Sequence, residues 1–390
     1  MSDDKKWVTH HGSGGNRVVV TKELPGSRWL EILIRADCRV EVCTATEILE
    51  TQEIIEAIGA RCDGAVGQLT EAWGKAVFEA LKGAGGRAYS NYAVGYNNVD
   101  VDAATGLGIP VGNTPGVLTE TTAEMAVALT FAAARRVVEG DAFMRSGRFN
   151  GWLPTLFLGE RLYRKTVGVV GAGRIGFAYA RMMVEGHKMD LIYYDPHTGK
   201  PLEQYVAAYS AFLEKRGEPP LRCTRADSLE ELLREADVVS LHPVLDETTY
   251  HLIDKERLSI MKDDAVLVNS SRGPLIDEAA LVVHCRNHPN FRAALDVFED
   301  EPAMKPGLET LDNVVIVPHI GSATRWTREG MATLAASNVA GILLGYPAWQ
   351  EQDMAPFLGD HPPKAAPSIV NGRKLAIPPY PLSNRTARIP

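Results

Sequence analysis

Short runs of β-branched and apolar residues alternate along this chain with longer stretches whose apolar positions recur at helical spacing. That alternation is the pattern of parallel α/β architecture. In the first third it predicts strands at Arg17–Thr21, Arg39–Cys43, Gly64–Gly67, Ala88–Asn91 and Pro110–Asn113, with helices at Thr46–Ala60 and Trp73–Leu81 between them. One long helix is predicted from Thr119 to about Ser146, with Thr119 as its N-cap and Glu124 where a carboxylate suits the helix dipole. The middle third predicts strand Thr166–Val170, a glycine turn, and a helix through Met183. Strands then follow at Leu191–Tyr194, Val238–Leu241, Ala265–Asn269, Ala293–Asp296 and Val314–Val317. The connection from Pro196 to Ala226 exceeds the usual ~2–6 residues and carries a helical pattern at Gln204–Lys215, so it reads as an ornamented insert. A last helix runs from Trp326 to about Leu344. Nine of the 23 prolines lie beyond Tyr346, which predicts an extended, partly mobile tail draped over a domain.

Composition narrows the class. With 390 residues, 45% of them hydrophobic and 23% charged, the chain is long enough for two domains and a large core without cross-links. A net charge of -8 argues against nucleic acid as a partner. Five cysteines with no CxxC pair suit a reducing compartment and provide neither a disulfide framework nor a zinc site; no metal is expected. The apolar stretch Ala126–Ala134 is about half a membrane span, so no membrane partner is expected. The opening MSDDKKWVTHHGSGGN lacks the apolar region of a signal peptide.

The most informative motif is TVGVVGAGRIG, which places Gly171, Gly173 and Gly176 in G-x-G-x-x-G register between a strand and a helix. Asp195 ends the next strand, 19 residues past Gly176. This is the spacing of a dinucleotide site. Gly171 permits the tight turn, Gly173 lets the backbone approach a pyrophosphate, and Gly176 lets the helix pack closely. The helix N-terminus then turns N–H groups toward the phosphates. Asp195 would accept hydrogen bonds from ribose hydroxyls and repel a 2′-phosphate. Pro196 and His197 follow it with no arginine, so NAD(H) is expected in preference to NADP(H). Gly106, Gly108 and Gly112 precede a strand and read as a plain turn.

Downstream, three segments set a chemically loaded residue beside a strand end: VLVNSSRGPLID with Arg272, ALDVFEDEP with Glu301, and VIVPHIGSAT with His319. In a doubly wound sheet, ligands sit outside the carboxyl ends of the strands, so the three could converge on one nicotinamide. Their types suit reduction of a 2-keto acid. An imidazole titrates near ~6.5 and a neighbouring carboxylate raises that value, so His319 would protonate the developing alkoxide with Glu301 orienting it. Arg272 would grip the substrate carboxylate and polarise the carbonyl.

These motifs together resemble the D-isomer-specific 2-hydroxyacid dehydrogenases, and within that family the plant-type subgroup that reduces hydroxypyruvate to D-glycerate with NADH. The similarity extends through DGAVGQLTEAWG, SNYAVGYNNVDVDAA, VGNTPGVLTETTAEMA, GWLPTLFLG, SLHPVLDETTYHLI and RWTREGMATLAA to PSIVN, most of the chain from Arg17 to Asn371. It implies two Rossmann-like or flavodoxin-like doubly wound domains with the active-site cleft between them. The substrate domain would comprise residues 1–118 and 330–390, and the NAD-binding domain 119–329. It implies a homodimer, with the 119–146 helix at its interface, and secondary reduction of glyoxylate to glycolate. The N–H groups of Val94 and Gly95 would receive the substrate carboxylate. Arg174 and Ile175 would lie on the pyrophosphate, Pro243 and Thr248 on the adenosine side, and Ser270, Ser271 and Asp296 near the nicotinamide. Thr119 and Ser322 would also line the cofactor. Trp152 would either reach the partner's active site or serve as a hydrophobic dimer contact.

The ending Thr386–Pro390 departs from the subgroup, because it lacks an S-K-L-like peroxisomal address; mitochondrion and cytosol stay open. Two other activities also stay open. One is a glyoxylate or phosphoglycerate type of dehydrogenase, the latter disfavoured because no regulatory domain of about 80 residues follows residue 345. The other is an NAD-sensing corepressor on the same fold.

Overall fold

A computed structural model describes residues 6–381, and the chain divides after Leu118 and again after Ala323 into two units. The first acids of the chain, Asp3 and Asp4, and the terminal Thr386–Pro390 lie outside the described residues.

The first unit takes the chain up to Leu118 and again from Thr324. Its strands are β1 (Trp7–His10), β2 (Asn16–Val20), β3 (Cys38–Cys43), β4 (Gly64–Gly67), β5 (Ala88–Asn91) and β6 (Val111–Gly112). They lie in the order β1-β3-β2-β4-β5-β6, and only β1 runs antiparallel to its neighbour. The pattern missed β1, whose WVTH is too short to show a period. One face of this sheet is filled by Ile54, Ile58, Val77, Phe78 and Leu81 from helices Thr51–Ile58 and Lys75–Gly83. The first of these begins later than predicted because Glu50 and Glu53 form a capping box there.

Helix Arg325–Leu343 belongs to the same unit and is buried on most of its faces. The proline-rich tail, as far as it is described, docks firmly. Phe357 and Ala366 are buried, Ala348 bridges to both Ala366 and Pro379, and Arg28 donates to the Leu358 carbonyl at 2.7 Å. The described part of the tail is draped on this unit because it carries its own apolar anchors between its prolines.

The second unit holds seven parallel strands: β7 (Thr166–Val170), β8 (Asp190–Tyr194), β9 (Cys223–Arg225), β10 (Val238–Leu241), β11 (Val266–Asn269), β12 (Arg292–Leu295) and β13 (Val314–Ile316). Their order is β13-β12-β11-β10-β7-β8-β9. Period-two alternation feeds two cores, one on each face: Val167, Val169, Val266 and Val268 enter one, Val170, Val239, Leu241 and Leu267 the other. The supposed insert is part of this architecture. Its helix, Lys200–Lys215, buries Leu202, Val206 and Leu213 and delivers β9 beside β8, with Leu191 opposite Cys223.

The long helix predicted from Thr119 to Ser146 is two helices, Thr119–Ala134 and Val137–Arg145, broken at Arg136 with φ 54°. Local propensity gives no stop there; tertiary partners do. The Glu160 N–H donates to the Ala134 carbonyl at 2.8 Å, and Glu139 is drawn to both Arg136 and the buried Arg292.

Candidate active site

In the second unit the strand order reverses between β7 and β10, which is where a doubly wound sheet opens a ligand crevice. The glycine turn follows β7, and His242 and Pro243 follow β10. The three glycines have separable reasons. Gly171 sits at φ +86°, and a Cβ there would lie 2.8 Å from the Pro243 nitrogen. At Gly176 a Cβ would lie 2.0 Å from the Gly171 carbonyl oxygen, so the helix could not start where it does. At Gly173 a Cβ would meet nothing within 4 Å. Its side is open, as close approach of a phosphate requires. Helix Arg174–His187 starts at once, with Arg174 exposed and Ile175 packed against the core.

Asp195 braces this turn: Oδ2 accepts the Ala172 N–H and Oδ1 the His197 N–H, each at 2.8 Å. The expectation that no arginine stands beside it needs correction. Arg225, brought in by β9, donates to the carbonyls of Asp195 at 2.9 Å and Pro196 at 3.3 Å. A separation of 30 residues along the chain hid it from motif reading.

Arg272, Glu301 and His319 leave the ends of β11, β12 and β13, which are neighbours in the sheet. His319 Nδ1 lies 2.9 Å from Glu301 Oε2, and Glu301 Oε1 accepts the Phe298 N–H at 3.0 Å. Burial opposes the charged form of Glu301. The hydrogen bond and charge of His319, the Phe298 N–H and the Arg272 guanidinium outweigh it and hold the carboxyl below its ordinary range. Desolvation lowers the pKa of Arg272, yet a guanidinium remains cationic; its Nη1 donates to the Ser271 carbonyl and its own carbonyl accepts from Asn269 Nδ2.

His319 itself stands at φ 52°, a conformation most residues avoid. Asp296 holds it there. The Asp296 carbonyl accepts the His319 N–H at 2.9 Å, and its carboxylate accepts Ile320 N–H at 2.6 Å and Gly321 N–H at 2.7 Å. Burial raises the pKa of Asp296, and these N–H donors and His319 partly offset that. Sequence reading cast Asp296 only as a cofactor contact and missed that it shapes the histidine turn.

The remaining second-unit residues divide. Ser270 Oγ is buried without a hydrogen-bond partner, and Ser271 Oγ ties β11 to β10 by donating to the Pro243 carbonyl at 2.7 Å. Thr248 is exposed, with its N–H and hydroxyl both on Asp246 Oδ1. Thr119 opens its helix, Ser322 lies in the turn after His319, and Trp152 is 81% exposed. The open face of Gly173, the helix start behind it and the orphan hydroxyl of Ser270 fit a dinucleotide.

The neighbouring acids of DVFEDEP take separate partners. Glu299 turns to His251, Asp300 to Lys305, and Glu301 to His319. Glu278 fastens this loop by accepting the Glu299 and Lys305 N–H groups, each at 2.7 Å.

In the first unit, Val94 and Gly95 sit in the loop after β5. The Val94 carbonyl accepts from Asn113 Nδ2 at 2.8 Å and the Gly95 carbonyl from Asn91 Nδ2 at 2.9 Å.

Residues 127–321 match the family model described as D-isomer specific 2-hydroxyacid dehydrogenase, NAD binding domain. The chain is 61% identical over 367 residues to a glycerate dehydrogenase of Cucumis sativus, covering 93% of this chain and 96% of that one. It is 60% identical over 373 residues to the peroxisomal glycerate dehydrogenase HPR of Arabidopsis thaliana, covering 95% and 97%. Among solved structures, the TT0316 protein of Thermus thermophilus superposes with a TM-score of 0.75 at 37% identity, covering 91% of this chain and 99% of that one.

Proposed function

We propose, from the premise that this chain belongs to the D-isomer specific 2-hydroxyacid dehydrogenases, that it reduces hydroxypyruvate to D-glycerate with NADH and glyoxylate to glycolate more slowly. The chain is an NAD-dependent oxidoreductase of that family. One observation carries the chemical reading: a histidine hydrogen-bonded to a carboxylate, with an arginine beside it, on three adjacent strand ends.

The bound dinucleotide supplies the hydride for the keto carbon. The chain supplies the proton and the charge. With Glu301 ionised opposite Nδ1, the ring nitrogen that serves the substrate oxygen is Nε2 of His319, and proton transfer to the developing alkoxide falls to it. Arg272 polarises the keto group and binds the carboxylate, and the N–H groups of the Val94–Gly95 loop receive that carboxylate. The glycine turn, Arg174 and Ile175 hold the pyrophosphate, and Pro243 and Thr248 lie on the adenosine side. Thr119, Ser270, Ser271, Asp296 and Ser322 serve the nicotinamide end, where Asp296 accepts from the carboxamide.

Residues 119–323 form the cofactor-binding unit and the two terminal segments the substrate unit. Asp195 favours NADH over NADPH by presenting an anion to the ribose. The exposed Val137, Val138, Met144, Phe149, Trp152 and Leu153 are an apolar series that a homodimer would cover.

Steady-state kinetics with hydroxypyruvate, glyoxylate, pyruvate and phosphohydroxypyruvate, each with NADH and NADPH, tests the proposal. Hydroxypyruvate with NADH should have the highest kcat/KM. A higher value for pyruvate or phosphohydroxypyruvate would overturn the substrate, and no turnover of any keto acid would overturn the enzymatic reading.

A further inference from the structure

The loop at residues 93–96 has its carbonyls fastened one after another. The Ala93 carbonyl accepts the Thr114 N–H at 2.9 Å, the Val94 carbonyl accepts Asn113 Nδ2 at 2.8 Å, and the Gly95 carbonyl accepts Asn91 Nδ2 at 2.9 Å. In a trans peptide each carbonyl points opposite to the N–H of the following residue. Drawing three successive carbonyls onto buried partners therefore turns the N–H groups of Val94, Gly95 and Tyr96 the other way. Asn91 is fully buried and Asn113 nearly so, while Val94 and Gly95 are half-buried and Tyr96 is 42% exposed. Three successive N–H groups on the exposed side of a loop make an anion-binding concavity.

The two asparagines are themselves held in the required orientation. Asn91 Oδ1 accepts from the Tyr89 hydroxyl at 3.1 Å, which leaves its Nδ2 for Gly95 and for Asn98 Oδ1 at 3.0 Å. Asn113 Oδ1 accepts from Ser368 Oγ at 2.6 Å, and its backbone carbonyl accepts from Asn338 Nδ2 at 2.9 Å. Asn338 Oδ1 in turn accepts the Ser368 N–H at 2.8 Å. The tail that follows the last long helix thus reaches back, through Ser368, to the residue that orients the Val94 peptide.

We infer that Asn91 and Asn113 are positioning residues that aim the Val94, Gly95 and Tyr96 N–H groups at the substrate carboxylate, with Ser368 of the C-terminal tail locking Asn113. The inference rests on the proposed 2-keto acid reductase and adds a third donor, Tyr96 N–H, and the residues that align all three. Each asparagine acts through the loop carbonyl it fastens.

The test replaces each amide donor with its isosteric acid. In Asn113→Asp or Asn91→Asp a carboxylate oxygen faces the loop carbonyl, and the peptide must turn away from it. Expected is a rise of about tenfold in KM for both hydroxypyruvate and glyoxylate, which share the carboxylate, with KM for NADH unchanged and kcat within about twofold. Calorimetric titration of the NADH complex with oxalate, as a carboxylate probe, should weaken by a similar factor. Ser368→Ala should reproduce the Asn113→Asp effect in reduced form, and Asn313→Ala, which removes donations to the Cys285, His288 and Phe291 carbonyls outside this network, serves as a control for general loosening.

The inference is overturned if a folded Asn113→Asp variant of unaltered melting temperature keeps the wild-type KM and oxalate affinity. It is equally overturned if KM for NADH rises along with that for the keto acid. Failure of wild-type enzyme to reduce hydroxypyruvate would count against the proposed substrate, while oxalate binding still decides the role of the asparagines.

Discussion

Replacing Gly173 by alanine separates binding from folding. Gly173 lies at φ -70° as the N-cap of helix Arg174–His187, and a Cβ there meets nothing within 4 Å. Alanine at an N-cap costs roughly 0.5–1 kcal/mol relative to better caps, and reduced freedom of the unfolded chain returns about 0.4–1 kcal/mol. The two nearly cancel, so the cofactor-free protein should melt within about 2 °C of wild type. The new methyl occupies the side from which a pyrophosphate approaches. Displacing that group by even a few tenths of an ångström weakens charge-assisted N–H contacts worth about 1.5–3 kcal/mol, giving roughly a 10- to 100-fold rise in Kd for NADH.

Gly176→Ala is the contrasting variant. Its Cβ would stand 2.0 Å from the Gly171 carbonyl oxygen, so turn and helix must part by about 1 Å, an overpacking cost of roughly 1–3 kcal/mol or more. Melting without cofactor, together with NADH titration by fluorescence, distinguishes the two. Unchanged NADH affinity in Gly173→Ala, or equal destabilisation by both substitutions, would refute the reasoning.

Four further outcomes follow from the same geometry. His319→Ala should abolish turnover while NADH affinity persists; retained activity would remove the proton-transfer role. Glu301→Gln should lower kcat for hydroxypyruvate by roughly tenfold or more while NADH affinity persists, because the His319 ring loses the carboxylate that holds its Nδ1, and an unchanged kcat would count against the pairing. Arg225→Ala should lower kcat/KM for NADPH more than for NADH, since its guanidinium is anchored on the Asp195 and Pro196 carbonyls where a 2′-phosphate would lie; equal losses would argue against that placement. Burial pushes the pKa of His242 down to about 3, and its ring bonds Ser240 Oγ at 2.9 Å. The folded state therefore takes up fewer protons than the unfolded one, and stability falls as pH drops from about 6.5 toward 3. His242→Gln should accordingly shift acid unfolding to lower pH by roughly half a unit, as followed by circular dichroism.

Much of the architecture was legible because it is written in local periodicity. Gly64–Gly67, Thr166–Val170 and Val238–Leu241 form strands within the bounds the pattern predicts, since a buried parallel strand is a nearly continuous apolar run. The three glycines were legible for a similar reason, being requirements of one short turn. What escaped was set by distant partners. Helix propensity runs unbroken through Arg136, yet Glu160 and Arg292 break the helix there. The three residues of β9 are too few to show a period, and they make a strand only because β8 offers an edge.

The sequence by itself determined the chemical vocabulary: a glycine turn closing with an acid, and an arginine, a glutamate and a histidine each beside a strand end. These are properties of residue type and short-range spacing, which the chain carries whatever its fold. Only the tertiary structure decided that Glu299 and Asp300 turn to His251 and Lys305, that Asp296 holds the histidine turn at its positive φ, and that Arg225 stands beside Asp195. It also decided that Asn91, Asn113 and a serine of the tail fasten the 93–96 loop. Each of those relations joins groups distant in the chain or selects among adjacent equivalents. Hydrogen bonds of about 3 Å impose no period on the sequence, so such choices become visible only once packing has brought the partners together.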